Sequence, residues 1–570
     1  MRLAAVQRWF LRAGAFALPL GFAWNTFDQY VLPKLLVARI LFLVLLILFV
    51  ARAALGGRVM IKRTPLDLPL LALLASAAIS TVLAENQNVA IFGTYSRYDG
   101  LLTLITYAGL FWLSVQTLSG ADEARTLLRV LLASGYLVAA IAILQSVGDS
   151  LRMGYFEYAF GTMGNSNVLG AFLAMVLALG LGELVAAESA SARVLIVNVL
   201  IVAGLALVLS GSRSAWLGTA LGAAIVVAGA RRAGARLRVA FALAGIVGAL
   251  LVVAMGAGLI LHGGFELERQ LVARALTVFN PSQWGASRLH IWQDSLHLIA
   301  SRPLAGYGPD NFGLVYPRFE TGDWGLTNVG FHQQIDKAHA ETLQVAATQG
   351  LLGLAAYVWM LIAFGRSFWA GRRSPGAVAV FAAFVAYQAT IQLNFTALAS
   401  AFPFWIVVGA GVVAFGAATP ARVVILPWRA PVLTAGVLVA AGLAALAVPL
   451  VAFPYVADVQ LRQALDAGSP ADAQTAATLA ASLAPEESVY EVEVANIAIE
   501  RHDLNAARVA YLEAIRLGTY NPFVYMNLAL VDIQLGRRGE ALAAAKSAVE
   551  LNPFDPASQA LVAQLEAPSP

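Results

Sequence analysis

The chain is dominated by long apolar stretches separated by short polar segments, and this pattern constrains its fold more than any other feature. A helix needs about 20 apolar residues to cross the hydrocarbon core of a bilayer. Within lipid, a helix satisfies every backbone polar group internally, so the pattern predicts an all-α, polytopic membrane bundle. The predicted spans number about thirteen, at 9–24, 34–51, 66–84, 100–118, 126–146, 166–186, 194–210, 214–230, 239–261, 347–365, 376–395, 399–417 and 431–454.

The composition agrees with a chain that keeps much of its length in lipid. Only 12% of the residues are charged and the mean hydropathy is +0.74, whereas a soluble globular domain carries about 25% charged residues. The basic residues stand in short runs between apolar segments, which is the pattern of membrane orientation and argues against a nucleic-acid partner. Cysteine is absent, which excludes a disulfide framework, a thiol nucleophile and a Cys-based metal site.

The basic residues also predict the orientation of the spans. Cytoplasmic loops of membrane proteins carry an excess of Lys and Arg, and the sequence follows this rule if its N-terminus is cytoplasmic. We therefore expect a multi-pass protein of the bacterial inner membrane, with loops 85–99, 147–165 and 262–346 and the segment after 456 outside the cytoplasm. The first apolar segment has no small-residue cleavage site and is expected to be retained as a span. The inner segments hold Arg2, Arg8, Arg12, Arg52, Arg58, Lys62, Arg63, Arg125, Arg193, Arg231, Arg232, Arg236, Arg238, Arg366, Arg372, Arg373, Arg422 and Arg429.

The last part of the chain changes to an alanine-rich, amphipathic helical pattern with an internal repeat. A 34-residue period with small residues where two helices cross resembles tetratricopeptide repeats, a typical protein-binding module. About three helical hairpins are needed for a stable stack. We therefore predict a membrane domain at 1–456 and an extracytoplasmic repeat domain at 457–570. The alanines in register are Ala495 with Ala529, Ala507 with Ala541, Ala514 with Ala548, and, one repeat upstream, Ala473 with Ala480.

The predicted loop 262–346 is long, polar and rich in aromatic residues, which is where a membrane protein commonly carries its function. An amphipathic helix is predicted from Ser287 to Ala300, ended by Arg302-Pro303 and followed by a turn at Gly306-Tyr307-Gly308-Pro309. The loop holds five of the six histidines: His262, His290, His297, His332 and His339. Neither seven-residue histidine spacing matches the zinc-binding HExxH helix and no Cys supports them, so we expect no metal site.

Four short motifs occur in a fixed order along residues 160–415. Together they resemble the O-antigen ligase and O-antigen polymerase superfamily. The first two are Gly164-Asn165-Ser166-Asn167 and Gly211-Ser212-Arg213-Ser214-Ala215-Trp216. The third joins Ser287-Arg288-Leu289-His290-Ile291-Trp292 to Arg302-Pro303-Leu304-Ala305-Gly306-Tyr307-Gly308-Pro309-Asp310-Asn311-Phe312, and the fourth is Ala338-His339 with Gly350 eleven residues after the histidine.

The resemblance implies a GT-C-like membrane glycosyltransferase. Such an enzyme moves a glycan from an undecaprenyl pyrophosphate carrier to a glycolipid, polysaccharide or protein acceptor at the outer face of the inner membrane. It works with inversion and without a metal or nucleotide cofactor. By motif, Arg213 and Arg288 would hold the pyrophosphate and His339 would assist the acceptor hydroxyl. The family generally has a small polar residue, often Asn, after this histidine, whereas this chain has Ala340.

Elementary chemistry supports these roles. A guanidinium binds phosphate oxygens in bidentate fashion at constant charge, and without a metal it is the group that stabilises a departing pyrophosphate. A neutral imidazole is the side chain best able to accept a proton from a sugar hydroxyl near neutral pH. We expect Lys337 and the following helix N-terminus to lower the pKa of His339. Against these roles stand an interfacial arginine for Arg213, a helix-surface charge for Arg288 and a solvated loop histidine for His339.

Three further residues are candidates for lining a substrate groove: Asn165, Arg97 and Tyr307. Asp99 lies in the same predicted outer turn as Arg97. Solvated turns are the alternative interpretation for these positions.

The sequence leaves the exact activity open. Ligase, polymerase and protein O-oligosaccharyltransferase share the implied chemistry and differ in acceptor. A polysaccharide transporter or flippase is the alternative of another class. It would be expected to show inverted repeats and charges buried in mid-span, and the sequence shows neither. A scaffold that acts through its repeats alone is a third alternative.

Overall fold

The computed structural model describes residues 2–147, 158–230, 286–322, 327–328, 331–332, 334–373, 376–425 and 429–567. The described chain is almost entirely helical, as predicted. The helices of its N-terminal part are α1 (Arg2–Leu20), α2 (Val31–Gly56), α3 (Asp67–Val82), α4 (Gln87–Phe92), α5 (Leu101–Thr117), α6 (Ala121–Val147), α7 (Ser166–Ala186), α8 (Ala190–Leu209) and α9 (Arg213–Gly229).

After the undescribed segment, the helices continue through the outer loop and the last apolar segments. They are α10 (Ala286–Ser301), α11 (Phe312–Val315), α12 (Glu341–Gly371), α13 (Ala377–Gln392), α14 (Leu398–Ala414) and α15 (Arg429–Ala447). The C-terminal helices are α16 (Phe453–Leu465), α17 (Pro470–Leu483), α18 (Ser488–Glu500), α19 (Leu504–Leu517), α20 (Pro522–Gln534), α21 (Arg538–Leu551) and α22 (Pro556–Glu566). The strands are short: β1 (Arg58–Arg63), β2 (Thr327–Asn328), β3 (Phe331–His332) and β4 (Thr419–Ile425).

The described helices confirm a membrane bundle but not the count of thirteen spans. Six helices are long and apolar enough to cross a membrane, and five shorter helices are apolar as well. Helix α1 belongs to neither group, and the predicted span 239–261 lies outside the described residues. Helix α7 lies at the centre, because it is apolar all round and 89% of its most apolar window is buried. It packs between α9 and α13.

Segments predicted to lie on one side of the membrane contact one another. On the predicted inner side, β1 pairs antiparallel with β4, and Arg8 forms an ion pair with Glu123 at 3.0 Å. On the predicted outer side, Asn25 donates to the hydroxyl of Tyr455 at 2.8 Å. This alternation agrees with the predicted order of loops, and which side is the cytoplasm stays a prediction.

The spans are not as free of ionisable groups as the sequence analysis expected, but the exceptions are paired. Lys34 near the start of α2 is fully buried and donates to the carbonyl oxygens of Gly21, Tyr30 and Thr162. Glu183 near the end of α7 is paired with Arg125 at 2.7 Å and with Arg129 at 2.9 Å. These contacts join neighbouring helices, and a buried charge is tolerated when it is paired in this way.

The C-terminal helices confirm the predicted repeat. Helices α17, α19 and α21 begin at 470, 504 and 538, and α18, α20 and α22 begin at 488, 522 and 556, so each step is 34 residues. Helices α16 and α17, α18 and α19, and α20 and α21 form three hairpins, and α22 packs on α21. All the alanines that define the period are buried. Small side chains therefore let the paired helices approach closely, as expected.

A break in α12 at Gly350 joins two of the sequence motifs. Gly350 has φ 68° and ψ −171° inside an otherwise helical segment. Carbonyl oxygens freed by the break accept from the next motif: Ala347 from Tyr307 N–H at 3.1 Å and Thr348 from Gly308 N–H at 2.8 Å. On the other side of the break, Leu351 N–H donates to the Pro303 carbonyl at 2.7 Å. The turn at 303–308 thus takes the place of the missing helical hydrogen bonds.

This arrangement predicts that Gly350→Ala destabilises the protein. A side chain at positive φ costs roughly 1–2 kcal/mol, and an added Cβ would also collide with the Leu304 carbonyl. Gly365→Ala, at a helical position in α12 with open space around it, is the matched control and should be neutral or stabilising. Thermal unfolding in detergent measures both variants. Equal midpoints for the two would contradict the structural role of the break.

Candidate active site

The structure brings together the three residues that the resemblance singled out. Arg213 is the first residue of α9, Arg288 lies in the first turn of α10, and His339 stands in the loop before α12. Arg213 and Arg288 are close enough to repel each other electrostatically, and Arg288 is equally close to His339. Three segments far apart in sequence therefore converge at one place.

Arg288 is held by burial and one carbonyl. Its Nη1 donates to the Leu393 carbonyl in the loop between α13 and α14 at 2.5 Å. Burial, together with the nearby charge of Arg213, lowers the pKa of Arg288 to about 10. The guanidinium thus remains protonated at neutral pH, and its position beside a second guanidinium is electrostatically unfavourable unless an anion is present.

His339 is neutral at physiological pH. Burial lowers its pKa to about 4, assisted by Arg288 and Arg97 and opposed by Asp336. Its ring packs edge-on against Phe395, with 5.4 Å between ring centroids, and its backbone has φ 51°. Its Nδ1 is buried and has no hydrogen-bond partner among the described residues. The lowered pKa has the predicted direction, but its main cause is burial rather than Lys337.

Lys337 is instead the centre of a buried ion cluster. Its Nζ lies 2.8 Å from Asp99 Oδ2 and 2.8 Å from Asp310 Oδ1, and its side chain is only 4% exposed. Burial alone lowers the pKa of Lys337, but Asp310 and Asp99 outweigh it and raise the pKa above its usual value. Asp310 also accepts from the N–H and hydroxyl of Thr94, at 2.7 and 2.9 Å. The cluster joins three outer segments just before His339.

Arg97 lies beside this cluster. Its Nε is 2.5 Å from Asp336 Oδ2, and its guanidinium lies 5.1 Å from the centre of the Phe395 ring. Phe395 therefore contacts both Arg97 and His339. Arg97 is thus placed at the site, but its charge is neutralised by Asp336.

The other two predicted groove residues have visible structural contacts. Asn165 caps α7, because its side-chain oxygen accepts from the N–H groups of Asn167 and Val168 at 2.8 and 3.4 Å. Tyr307 is buried, and its hydroxyl lies 2.8 Å from that of Ser301. The contacts shown for both explain their presence without a substrate, and a groove-lining role for them stays a prediction.

The residue after His339 occupies the N-cap position of α12. Ala340 has extended φ and ψ and makes no side-chain cap. A polar residue at this position would accept from the first free N–H groups of the helix. Here Gln392 Oε1, from the end of α13, accepts instead from the N–H and hydroxyl of Thr342, at 3.2 and 2.5 Å. The departure at Ala340 is therefore compensated by a neighbouring helix.

A small cavity of about 100 Å³ lies beside the ion cluster. Asp99, Asp310, Lys337 and Glu341 line it, together with tyrosines of the surrounding helices. Arg213, Arg288 and His339 are not among its lining residues. The convergence of the two arginines on His339, rather than this cavity, therefore marks the candidate reaction centre.

Among the described residues, no group of three or more His, Cys, Asp or Glu side chains is arranged to hold a metal ion. The predicted candidates were histidine pairs in the outer loop. His262 and the side chain of His332 lie outside the described residues, as do Trp284 and Trp324. His290 and His297 lie on α10.

The comparison with protein families confirms the predicted resemblance. The family model described as O-antigen ligase matches residues 197–358. The chain thus contains an O-antigen ligase domain in that range, which includes Arg213, Arg288 and His339. The matched family supports glycosyl transfer of the ligase or polymerase type as the general function.

The solved structures retrieved are helical repeat proteins, and both TM-scores are too low to indicate a fold shared with the whole chain. One is a thermophilic TPR protein, TTC0263, from Thermus thermophilus, with 16% identity, TM-score 0.17, and coverage of 38% of this chain and 93% of that chain. Another is the APC/C hetero-tetramer Cut9–Hcn1, with 14% identity, TM-score 0.21, and coverage of 66% and 93%. No curated protein matches the chain.

Sequence reasoning missed three residues that shape the site. Phe395 and Gln392 lie between two apolar segments, where nothing in the local pattern distinguishes them. Asp310 was visible, because it stands in a motif as a lone carboxylate after Gly-Pro, and its φ of 56° is unusual. A search for partners of Lys337 among the predicted outer segments would have found Asp310 and Asp99.

The ion cluster predicts a large loss of stability for Lys337→Met. Removing one partner of a buried ion pair costs about 3–5 kcal/mol, since the remaining charges stay buried without compensation. Lys546→Met is the control, because Lys546 pairs with Glu566 at the surface, with side chains 53% and 51% exposed. An exposed pair contributes about 0–1 kcal/mol. Thermal unfolding in detergent should separate the two variants, and a similar small change in both would show that the cluster is not a structural core.

Proposed function

We propose that this protein is an inverting glycosyltransferase of the O-antigen ligase type. It transfers a glycan from an undecaprenyl pyrophosphate carrier to an acceptor at the outer face of the bacterial inner membrane. The observation that supports this proposal most is the proximity of Arg213 and Arg288 to each other and of Arg288 to a neutral His339. The family match over residues 197–358 supports the reaction class.

The two arginines bind the pyrophosphate of the donor. Two guanidinium groups in a poorly solvated place repel each other, and an anion between them relieves that repulsion. Pyrophosphate oxygens accept charge-assisted, bidentate hydrogen bonds from guanidinium groups. Negative charge on the pyrophosphate grows as the glycosidic bond breaks, so Arg213 and Arg288 stabilise the transition state more than the bound donor.

His339 accepts the proton of the acceptor hydroxyl. The hydroxyl oxygen attacks the anomeric carbon from the face opposite the pyrophosphate, while the bond to the carrier oxygen breaks. The electron pair of that bond leaves with the pyrophosphate, and the hydroxyl proton moves to the imidazole. Burial favours the neutral imidazole that this step requires.

The proposal includes the arrangement of the chain. The N-terminus is cytoplasmic, residues 1–456 form the membrane domain, and residues 457–570 form an extracytoplasmic repeat domain. Ligase, polymerase and protein O-oligosaccharyltransferase all fit this chemistry, and the acceptor distinguishes them. A transporter or flippase would need no residue that accepts a proton from a hydroxyl, so the described surroundings of His339 favour an enzyme.

Substitutions at the three residues test the proposed roles. Arg288→Lys should weaken donor binding and slow the single-turnover rate, each roughly tenfold or more, because an ammonium cannot span two phosphate oxygens. His339→Gln should reduce the single-turnover rate by about 10²–10⁴-fold and leave donor affinity nearly unchanged.

The matched controls lie in the same outer loop. His297 on α10 and Arg318 after α11 are exposed, so His297→Gln and Arg318→Lys should leave donor binding and turnover near wild type. Donor binding and turnover are measured with lipid-linked glycan in detergent. A His339→Gln variant that binds donor as poorly as Arg288→Lys but reacts at the normal rate would refute the assigned roles.

The pKa of His339 predicts the pH dependence of the reaction. The value of about 4 keeps the imidazole neutral from pH 8 down to about pH 5, and protonation removes the base below that range. The kcat/KM for the donor reports groups of the free enzyme, so its acid limb should have a midpoint near pH 4 instead of near 6.5. The residual activity of His339→Gln should lack this limb, and a wild-type midpoint near 6.5 would contradict a buried, neutral base.

A further inference from the structure

A large cleft lies between the repeats and the outer face of the membrane domain. Its volume is about 510 Å³, within the roughly 300–1,000 Å³ of ligand pockets. The first helix of each hairpin supplies one wall, and Thr94, Tyr95 and Gln334 of the membrane domain supply the other. We refer to this space as the repeat cleft.

The repeat cleft leads to the candidate reaction centre. Thr94, which lines the cleft, is bonded to Asp310, and Asp310 holds Lys337 two residues before His339. Gln334 Nε2 donates to the Tyr520 carbonyl at 2.7 Å. Tyr520, which also lines the cleft, lies near enough to Asp336 to feel its charge. A molecule in the cleft is thus one layer of side chains away from the cluster that holds His339.

The lining of the repeat cleft is uncharged apart from one carboxylate. Asp555 is that carboxylate, and it is engaged by the N–H and hydroxyl of Ser558 at 2.9 and 2.5 Å. No Lys or Arg is among the described residues that line the cleft. Its polar groups are amides and hydroxyls, and its apolar groups include aromatic rings. They are Gln334, Asn521, Asn552, Thr94, Ser488, Thr519 and Ser558, with Tyr95, Tyr520 and Phe523 as the rings.

This chemistry suits a neutral sugar chain better than a peptide. A sugar ring has an apolar C–H face that packs on an aromatic ring and a rim of hydroxyls that bond to amides and hydroxyls. An average polypeptide has about 25% charged residues, for which the cleft offers no cation. The 34-residue period places Val492 and Met526 at equivalent points along the cleft, which suits an occupant with its own repeating units.

We propose that the repeat cleft binds the glycan part of the acceptor and leads its hydroxyl toward His339. The proposal rests on the proposed glycosyl transfer and narrows its acceptor from glycolipid, polysaccharide or protein to a neutral, hydroxyl-rich glycan. The cleft holds the acceptor, while Arg213 and Arg288 hold the donor. The acceptor and donor sites are therefore formed by different parts of the chain.

The absence of cysteine from the chain allows a direct test with single thiols. Ser488→Cys places a thiol in the cleft with minimal change of shape, and Ser482→Cys, at an exposed position on α17 outside the cleft, is the matched control. Full-length protein in lipid nanodiscs is labelled with a fluorescent maleimide. The probes are neutral oligosaccharides released by mild acid from bacterial membrane glycolipid, and tryptic peptides from the same membranes.

We expect the oligosaccharides to slow labelling at position 488 several-fold and to leave position 482 unchanged. Protection by the peptides alone, or protection by neither probe, would overturn the proposal. In a second measurement, a bulky maleimide on Ser488→Cys should raise the KM for the glycan acceptor and leave donor binding intact, and the unlabelled variant serves as its own folding control. Unchanged acceptor KM after complete labelling would also overturn it.

These results are separable from the proposed function. If wild-type protein consumes no lipid-linked glycan, the glycosyltransferase proposal fails whatever the labelling shows. If it consumes the donor and position 488 is unprotected, the transfer reaction stands and the acceptor site is elsewhere. Val492→Trp, which fills the cleft, should reproduce the effect of the label, and Val509→Trp on the exposed face of α19 should not.

Discussion

The arrangement of the outer face depends on the burial of Lys337 between Asp99 and Asp310. Removing an ammonium and two carboxylates from water costs several kcal/mol per ion, so the cluster is stable only when all its members are in place. They come from three segments, and their union fixes those segments relative to one another. Ala338 N–H is also held by Gln344 at 2.8 Å. His339 is thus kept in a left-handed conformation by constraints on the residues just before it.

The same part of the molecule leaves one positive charge without a full neutralising partner. Arg97 is neutralised by Asp336, whereas the hydrogen-bond partner of Arg288 shown among the described residues is a carbonyl oxygen. Placing Arg288 near Arg213 is unfavourable for folding alone. Proteins commonly retain such unfavourable contacts where function requires them, and the stability comes from elsewhere in the structure. Here the cluster around Lys337 is well placed to supply it.

The sequence predicted the elements with strong local signals. Apolar length predicted the helices, the 34-residue period predicted the hairpins and the buried alanines, and the motif at 302–312 predicted a turn. Contacts that depend on tertiary structure could not be predicted. The break at Gly350 is visible only as a glycine, because its cause is the turn that docks against it. Gln392 replaces a cap at a distance of 50 residues, and Phe395 gains its role only from the approach of Arg97 and His339.

The repeat domain is attached to the membrane domain at two places. The last carbonyl groups of a helix have no partner within it, and Asn88 donates to such a carbonyl, that of Leu517 at the end of α19, at 2.9 Å. At the base of the repeats, Asp458 of α16 accepts from the backbone N–H of Asp28 at 2.9 Å and from the hydroxyl of Tyr95. Tyr95 itself lines the repeat cleft. Because the contacts that hold the repeats also hold one wall of the cleft, the position of the cleft relative to the reaction centre is set by the fold rather than by a flexible linker.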